Sequence, residues 1–304
     1  MALIAGPTAS GKSDLAVRLA LALQERGREA RVINADSAQV YADLAIISAR
    51  PTEAEMQGVP HLLFGAWDGA QACSAADWAE AARREVLAAH EAGAVPILVG
   101  GTGLYIRTLL DGIAPIPAID SAVREAVRAL PVAEAYAALQ AEDPARAAQL
   151  NAGDSQRVAR ALEVVRATGR SMLYWQQHLE GGIADRVTLA PLVLLPEREA
   201  LFERCDRRFA AMVDAGALEE VEALYARGLD ENLPVMRAIG VREMGEVLHG
   251  RLTMAEAILS GQQSTRNYAK RQYTWLRNQL PDEWNRALPE SVNLGNQFES
   301  LLPR

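Results

Sequence analysis

The stretch Gly6-Pro7-Thr8-Ala9-Ser10-Gly11-Lys12-Ser13 follows the apolar Ala2-Leu3-Ile4-Ala5 and opens a segment with Leu15, Leu19 and Leu23 at i, i+4 and i+8. It matches G-x-x-x-x-G-K-[ST] in the context that gives the pattern meaning: strand, glycine loop, helix. Glycines let the backbone wrap so that successive N–H groups converge on phosphate oxygens, and the helix N-terminus adds partial positive charge. Lys12 supplies a compact cation, and Ser13 can offer its hydroxyl to Mg²⁺. Gly6 to Ser13 are therefore the expected diphosphate-binding set, with Ser13 on the metal side. The motif leaves open which phosphate compound binds.

Outward from this loop, residues 30–35 read as a second strand ending at Asp36, 75–92 as a helix, and 95–99 as a buried strand ending in Gly100-Gly101. Strands and helices alternating at this spacing predict an α/β fold with a parallel, P-loop NTPase-like sheet. The alternation then stops. From Pro115-Ile116-Pro117 to Gly181-Gly182 only helical periodicity appears, rich in Ala, Arg and Glu, and the next strand candidate is 187–195. That gap is far longer than an ordinary crossover, which predicts an all-helical domain inserted at 116–186 between core segments 1–115 and 187–304. Helices are expected at 197–213, 218–227, 235–249 and 254–277, and irregular chain from Pro281.

Composition bounds the rest. The chain has 304 residues, 50% of them hydrophobic, and a net charge of −8, which argues against a polyanion-binding surface spread over the whole chain but not against a local basic face. No apolar run approaches the ~20 residues of a membrane span. The apolar start leads directly into the glycine loop, leaving no room for a cleaved leader and hinting that a few native residues precede Met1. Cys73 and Cys205 lie far apart with no ligand-like neighbours, as suits a reducing cytoplasm. Of 31 basic residues only Lys12 and Lys270 are lysine, so each raises the question of why a compact ammonium was kept there.

A kinase using ATP is one reading of the loop alone, but the chain fits it poorly. Strand 95–99 ends in Gly100-Gly101-Thr102-Gly103 with no magnesium-organising acid. The acid in a comparable place is Asp36, which taken alone also suits a turn or helix cap. The glycine pair alone also suits a tight strand-to-helix turn. A second glycine turn at a strand's C-terminal end does fall where α/β sheets place ligands.

Asp36-Ser37-Ala38-Gln39-Val40-Tyr41, the glycine loop and Gly100-Gly101-Thr102-Gly103-Leu104-Tyr105 together resemble the tRNA dimethylallyltransferases, or tRNA isopentenyltransferases. The resemblance continues through Gly58-Val59-Pro60-His61, the run Asp154 to Glu163, Met236-Arg237-Ala238-Ile239-Gly240, and Thr265 to Gln272, in the expected order over nearly the whole chain. It implies a P-loop core holding dimethylallyl diphosphate with Mg²⁺, and helical parts holding a tRNA anticodon stem-loop whose adenosine 37 is flipped out for prenylation at N6. By the same resemblance Asp36 matches the general base, Lys12 the diphosphate lysine, and Thr102 and Arg208 the groups holding pyrophosphate from its other side. The expected tRNA contacts are Asp36, Ser37, Ala38, Gln39, Thr102, Arg124, Gln156, Arg157, Val158, Ala159, Arg160, Arg237, Arg242, Arg266 and Lys270. The expected state is a monomer. A non-catalytic RNA-binding protein with a vestigial phosphate loop is a third alternative, opposed by the intact Gly11-Lys12-Ser13 and Asp36.

The chain departs from the family pattern in places. Ile46-Ile47-Ser48-Ala49-Arg50-Pro51 stands where Ile-Gly-[ST]-Ala-Lys-Pro is usual, and one histidine, His61, stands where two are common. No catalytic weight falls on His61, His90, His178 or His249. On the RNA side, 257–281 contains no acid, while Arg266, Lys270 and Arg277 recur near one helical face with Tyr268, Tyr273 and Trp275 nearby. That is the footprint of a nucleic-acid surface and equally of a solvated helix face with core aromatics.

Overall fold

The computed structural model describes residues 1–302, which form two compact units: Leu110–Ile183, and Met1–Leu109 with the chain from Ala184 onward. The larger unit is built on a six-stranded, wholly parallel sheet. Its strands are β1 Ala2–Ala5, β2 Ala30–Asn34, β3 His61–Leu62, β4 Val95–Gly100, β5 Ala190–Leu194 and β6 Asn285–Ala287, in the order β3-β2-β4-β1-β5-β6. β1 lies centrally, buried along its length and paired to β4 on one side and β5 on the other, which is why Ala2-Leu3-Ile4-Ala5 reads as an unbroken apolar run.

Helix α1, Lys12–Gln24, lays Leu15, Leu19 and Leu23 on one face of the sheet against Ile4, Val32, Ile97 and Leu192. The helices that follow in this unit are α2 Glu53–Met56, α3 Ala75–Glu91 and α4 Gly103–Asp111. Ser74 caps α3 through a reciprocal pair with Asp77, and the buried Trp78 of that helix donates to the Asn34 carbonyl at 2.9 Å.

The smaller unit holds α5 Ser121–Arg128, α6 Val132–Glu142, α7 Pro144–Ala147, α8 Ser155–Thr168 and α9 Met172–Gln176. Val127, Leu139, Val158 and Leu162 form its main core, and the buried Glu163 carboxylate receives Arg128 Nε at 3.0 Å. The unit begins at Leu110 and ends at Ile183 rather than at 116 and 186. Its two ends are joined by an antiparallel bridge, with Ile113 and Glu180 exchanging N–H···O bonds of 2.9 and 3.0 Å.

After β5 the larger unit adds α10 Arg198–Asp214, α11 Ala217–Ala226, α12 Val241–Leu248, α13 Met254–Gln279 and α14 Leu294–Gln297. Two expectations require correction here. The helix expected over 235–249 is interrupted: a 3₁₀ turn, Pro234–Arg237, is followed by extended Ala238 and by Gly240 at φ +98°, and only then does α12 start. The chain after Pro281 is not wholly irregular, because Asn285–Ala287 adds a sixth strand beside β5. That strand is three residues long and polar, with no alternation to reveal it. Arg286 fixes it by donating to the carbonyls of Pro281, Asp282, Trp284 and Leu280 at 3.0–3.1 Å. Likewise the two-residue β3 is below the length at which periodicity speaks. Among the described residues no helix is long and apolar enough to cross a membrane.

Candidate active site

A cavity of about 330 Å³ opens above the C-terminal ends of β1 and β2, lined on its polar side by Thr8, Lys12, Ser13, Asp36 and Arg208. The loop after β1 turns by putting Ala9 (φ +59°) and Gly11 (φ +84°) in the left-handed region. The second of these explains the glycine before Lys12. Lys12 is 7% exposed, and its Nζ has a 3.3 Å bond to the Pro7 carbonyl. Burial pulls its pKa down to about 8; the Arg208 charge pushes the same way, while Asp36 opposes both.

Arg208 reaches the loop from α10. Its guanidinium donates to Thr8 Oγ1, and its Nε is buried without a hydrogen-bond partner. Ser10 Oγ is likewise buried and unpartnered. Desolvation lowers the Arg208 pKa, with Asp36 again countering. Two desolvated cations and an orphaned hydroxyl around one glycine loop form a site suited to an anion with several oxygens.

Asp36, 8% exposed, is set by its neighbours. Asn34, the polar residue ending β2, accepts the Asp36 N–H through Oδ1 at 2.8 Å and donates through Nδ2 to the Asp36 and Leu63 carbonyls. Asp36 Oδ1 accepts the Ala38 N–H at 3.0 Å, so the carboxylate does cap a turn. It also lines the cavity together with Lys12 and Arg208, which a cap alone would not require. Ser37, Ala38 and Gln39 continue the lining, and Gln39 Nε2 donates to the Ser48 and Ala49 carbonyls at 3.1 and 2.9 Å.

The second glycine turn packs closely against the segment that follows β2. Gly100 is required because a Cβ there would strike the Ala35 carbonyl. Thr102 Oγ1 accepts the Ser37 N–H at 2.9 Å and lies 3.3 Å from Ser37 Oγ, and the Thr102 hydroxyl also interacts with the Tyr268 phenol. Thr102 thus ties the Asp36–Gln39 segment to α13. The half-buried Tyr268 phenol is held above its usual pKa by desolvation first and by the Asp36 charge second.

Residues without an expected role complete the frame. Gln272 of α13 accepts the Thr8 N–H at 2.8 Å and donates to the Gly101 carbonyl at 3.0 Å, bridging the two glycine turns. The signal available was a glutamine on what should be the apolar face of a helix. The Glu220 carboxylate of α11 accepts the N–H groups of Ala45, Ile46 and Ile47 at 2.7–2.8 Å.

The expected RNA contacts divide. Lys270 and Arg277 are exposed along α13, as is Arg271, which was not among the expected contacts, and Arg242 is exposed on α12; Arg237 sits at the rim of the cavity with a 2.9 Å bond to Asn232. Arg266 is committed elsewhere: it donates to both Asp206 oxygens at 2.5–2.6 Å and to Gln263, pinning α10 to α13. In the smaller unit Arg124, Gln156, Arg157 and Arg160 are exposed and Ala159 half-buried. Val158 is fully buried in that unit's core and offers no side chain to a ligand. Its inward position follows from the same periodicity that puts Gln156 and Arg160 outside. His61, His178 and His249 bond backbone carbonyls, and His90 lies exposed at the end of α3.

Among the described residues no group of three or more His, Cys, Asp or Glu could cage a metal. Ser13, the expected metal-side residue, does line the cavity beside Thr8 and Lys12, and a single hydroxyl is a fitting protein contribution where a substrate's phosphates supply most of the Mg²⁺ ligands.

Comparison with known proteins places this geometry. The family described as IPP transferase matches residues 39–279. A relative called tRNA dimethylallyltransferase from Erythrobacter litoralis is 64% identical, covering 99% of this chain and 95% of its own. The full-length tRNA isopentenylpyrophosphate transferase from Bacillus halodurans superposes with a TM-score of 0.69 at 34% identity, covering 99% of this chain and 93% of that one. A eukaryotic dimethylallyltransferase described as acting on tRNA superposes at 0.78 and 27% identity, over 91% of this chain and 69% of the other. With the glycine loop, Asp36 and Arg208 converging on one cavity and the match running through most of the chain, the protein belongs to the IPP transferase family.

Proposed function

We propose that the protein transfers the dimethylallyl group of dimethylallyl diphosphate to N6 of adenosine 37 in the tRNA anticodon loop, releasing pyrophosphate. The observation that carries this is one cavity with two ends: the buried Lys12 and half-buried Arg208 beside Asp36, and an apolar wall of Ile47, Phe209, Met212 and Ile239. An allylic diphosphate needs both ends, cations for its diphosphate and an apolar wall for its hydrocarbon chain. The names of the relatives support the same reading.

The chemistry follows from the residues. The allylic C1–O bond breaks with its electron pair going to the leaving pyrophosphate, whose growing charge Lys12, Arg208 and the loop amides stabilise. The N6 lone pair of adenine forms the new bond to C1. Its proton passes to Asp36, whose other contacts hold the carboxylate in place. Mg²⁺, held by Ser13 and the diphosphate, would neutralise further charge on the leaving group. Asp36, Ser37, Ala38 and Gln39 lie where the flipped base enters, with Thr102 supporting them from behind. Lys270, Arg271, Arg277, Arg237 and Arg242, with Arg124, Gln156, Arg157 and Arg160 of the smaller unit, supply the exposed polar groups for the RNA backbone. One monomer holds every residue named.

The test is incubation of the protein with labelled dimethylallyl diphosphate, Mg²⁺ and an unmodified anticodon stem-loop, with ATP omitted. N6-dimethylallyladenosine at position 37, found by nuclease digestion and mass spectrometry, is the expected product. Label appearing in RNA only when ATP is added would refute the reading.

A further inference from the structure

The apolar end of the cavity has a hard stop. Along α10, Phe209 and Met212 follow Arg208 and turn the lining from charged to apolar within one turn. Facing them is Ile47, 6% exposed, at the position where the chain departs from its family's usual glycine. Ile47 and Phe209 both close on Gly240: a Cβ there would fall 2.5 Å from Ile47 Cδ1 and 3.4 Å from Phe209 Cε2. The Ile47 side chain is therefore wedged between the cavity and a buried backbone.

Its own backbone is pinned from two sides. The Ile47 N–H donates to Glu220 Oε2 at 2.8 Å, and the Ala45 and Ile46 N–H groups donate to Oε1 of the same carboxylate. On the other side Gln39 holds the Ser48 and Ala49 carbonyls, and Ser48 Oγ donates to the Leu44 carbonyl at 2.6 Å. A wall fixed in this way does not retreat before a larger ligand.

We propose that Ile47 sets the upper limit on the allylic chain, admitting a five-carbon donor and rejecting a ten-carbon one. The inference rests on the prenyl-transfer reading and adds the residue that decides donor length. A geranyl donor carries five further carbons beyond those of the dimethylallyl chain, and these would have to extend along the apolar wall that Ile47, Phe209 and Met212 form. Each carbon of fit or misfit in an apolar pocket changes kcat/KM by about 10–200-fold. Because the tail of an unreactive donor can lie in the space meant for the base, the discrimination is read in transfer and not in binding.

The experiment measures kcat/KM for transfer from dimethylallyl and from geranyl diphosphate to one stem-loop, in the wild type, Ile47→Ala and Ile47→Val. The expected result is that Ile47→Ala shifts the ratio toward geranyl by about 10–200-fold, and Ile47→Val in the same direction by less. A wild-type ratio in both variants overturns the proposal and moves the limit to another wall. Should Ile47→Ala fail to fold, the ratio in the gentler Ile47→Val decides alone. A wild type inactive with dimethylallyl diphosphate itself overturns both this inference and the prenyl-transfer reading. An active wild type with unchanged ratios overturns only the inference.

Discussion

The buried Lys12 ammonium makes donor capture depend on pH in a way that can be worked out in advance. In water a lysine stays charged to the top of the ordinary working range; here burial, aided by the Arg208 charge, brings the pKa to about 8 against the opposing pull of the Asp36 carboxylate. The protonated form is the one that attracts a diphosphate. With a pKa of about 8, roughly nine-tenths of the free enzyme is competent at pH 7 and roughly one-tenth at pH 9. The donor kcat/KM at saturating stem-loop, which reports the RNA-bound enzyme before the donor binds, is therefore expected to fall about tenfold over that interval. Bound diphosphate stabilises the ammonium, so the same limb in kcat lies at higher pH. Asp36→Asn removes the charge that holds the pKa up and moves the limb to lower pH; Arg208→Gln removes a charge that pushes it down and moves the limb to higher pH. Lys12→Arg keeps its charge throughout and is expected to lose the limb, while remaining a poor enzyme because a planar fork does not replace a compact ammonium. The assay is initial rates at subsaturating dimethylallyl diphosphate and saturating stem-loop from pH 6.5 to 9.5 (on the order of half-unit steps). A flat kcat/KM profile in the wild type, or an undiminished limb in Lys12→Arg, would refute the argument.

Three further expectations follow from single contacts. Asp36→Asn keeps an Oδ1 to accept the Ala38 N–H but cannot take a proton, so single-turnover transfer should slow by about 10²–10⁴-fold with tRNA affinity nearly intact; an unchanged rate would reduce Asp36 to its capping role. Gln272→Leu leaves the Thr8 N–H and Gly101 carbonyl without their partner, a loss of about 1–3 kcal/mol for each buried group, so urea unfolding should shift to a clearly lower midpoint; an unshifted midpoint would mean the two turns are held by other contacts. On α13, Lys270→Gln with Arg277→Gln should lower the slope of log tRNA affinity against log salt by about 0.7–0.9 per lost phosphate contact, whereas Arg266→Gln, already paired to Asp206, should cost stability and leave the slope alone; the reverse pattern in salt titrations would return Lys270 and Arg277 to a solvated face.

Local sequence determined the parts of this protein whose physics is local. The wrap of Gly6 to Ser13, the apolar run of β1 and the 3.6-residue period of α1 are set by conformations and burial that few other residue types satisfy, and all three lie where they read. The parallel sheet followed from the alternation of such segments, and the helical insert from the interruption of that alternation. What only the tertiary structure decided are relations between residues far apart in the chain. Gln272 meets Thr8 across 264 positions, and Arg208 meets it across 200. No periodicity encodes those meetings, because each depends on how α10 and α13 cross over the sheet. Arg266 shows the cost of reading charge without partners: a basic residue on a basic helix looked available until Asp206 of another helix neutralised it. The three-residue β6 exists because β5 offers an edge and Arg286 gathers the surrounding carbonyls, not because Asn-Arg-Ala prefers a strand. Ile47 likewise reads as one aliphatic residue among many. Only the Glu220 carboxylate behind it and the Gly240 backbone beside it make it a fixed wall.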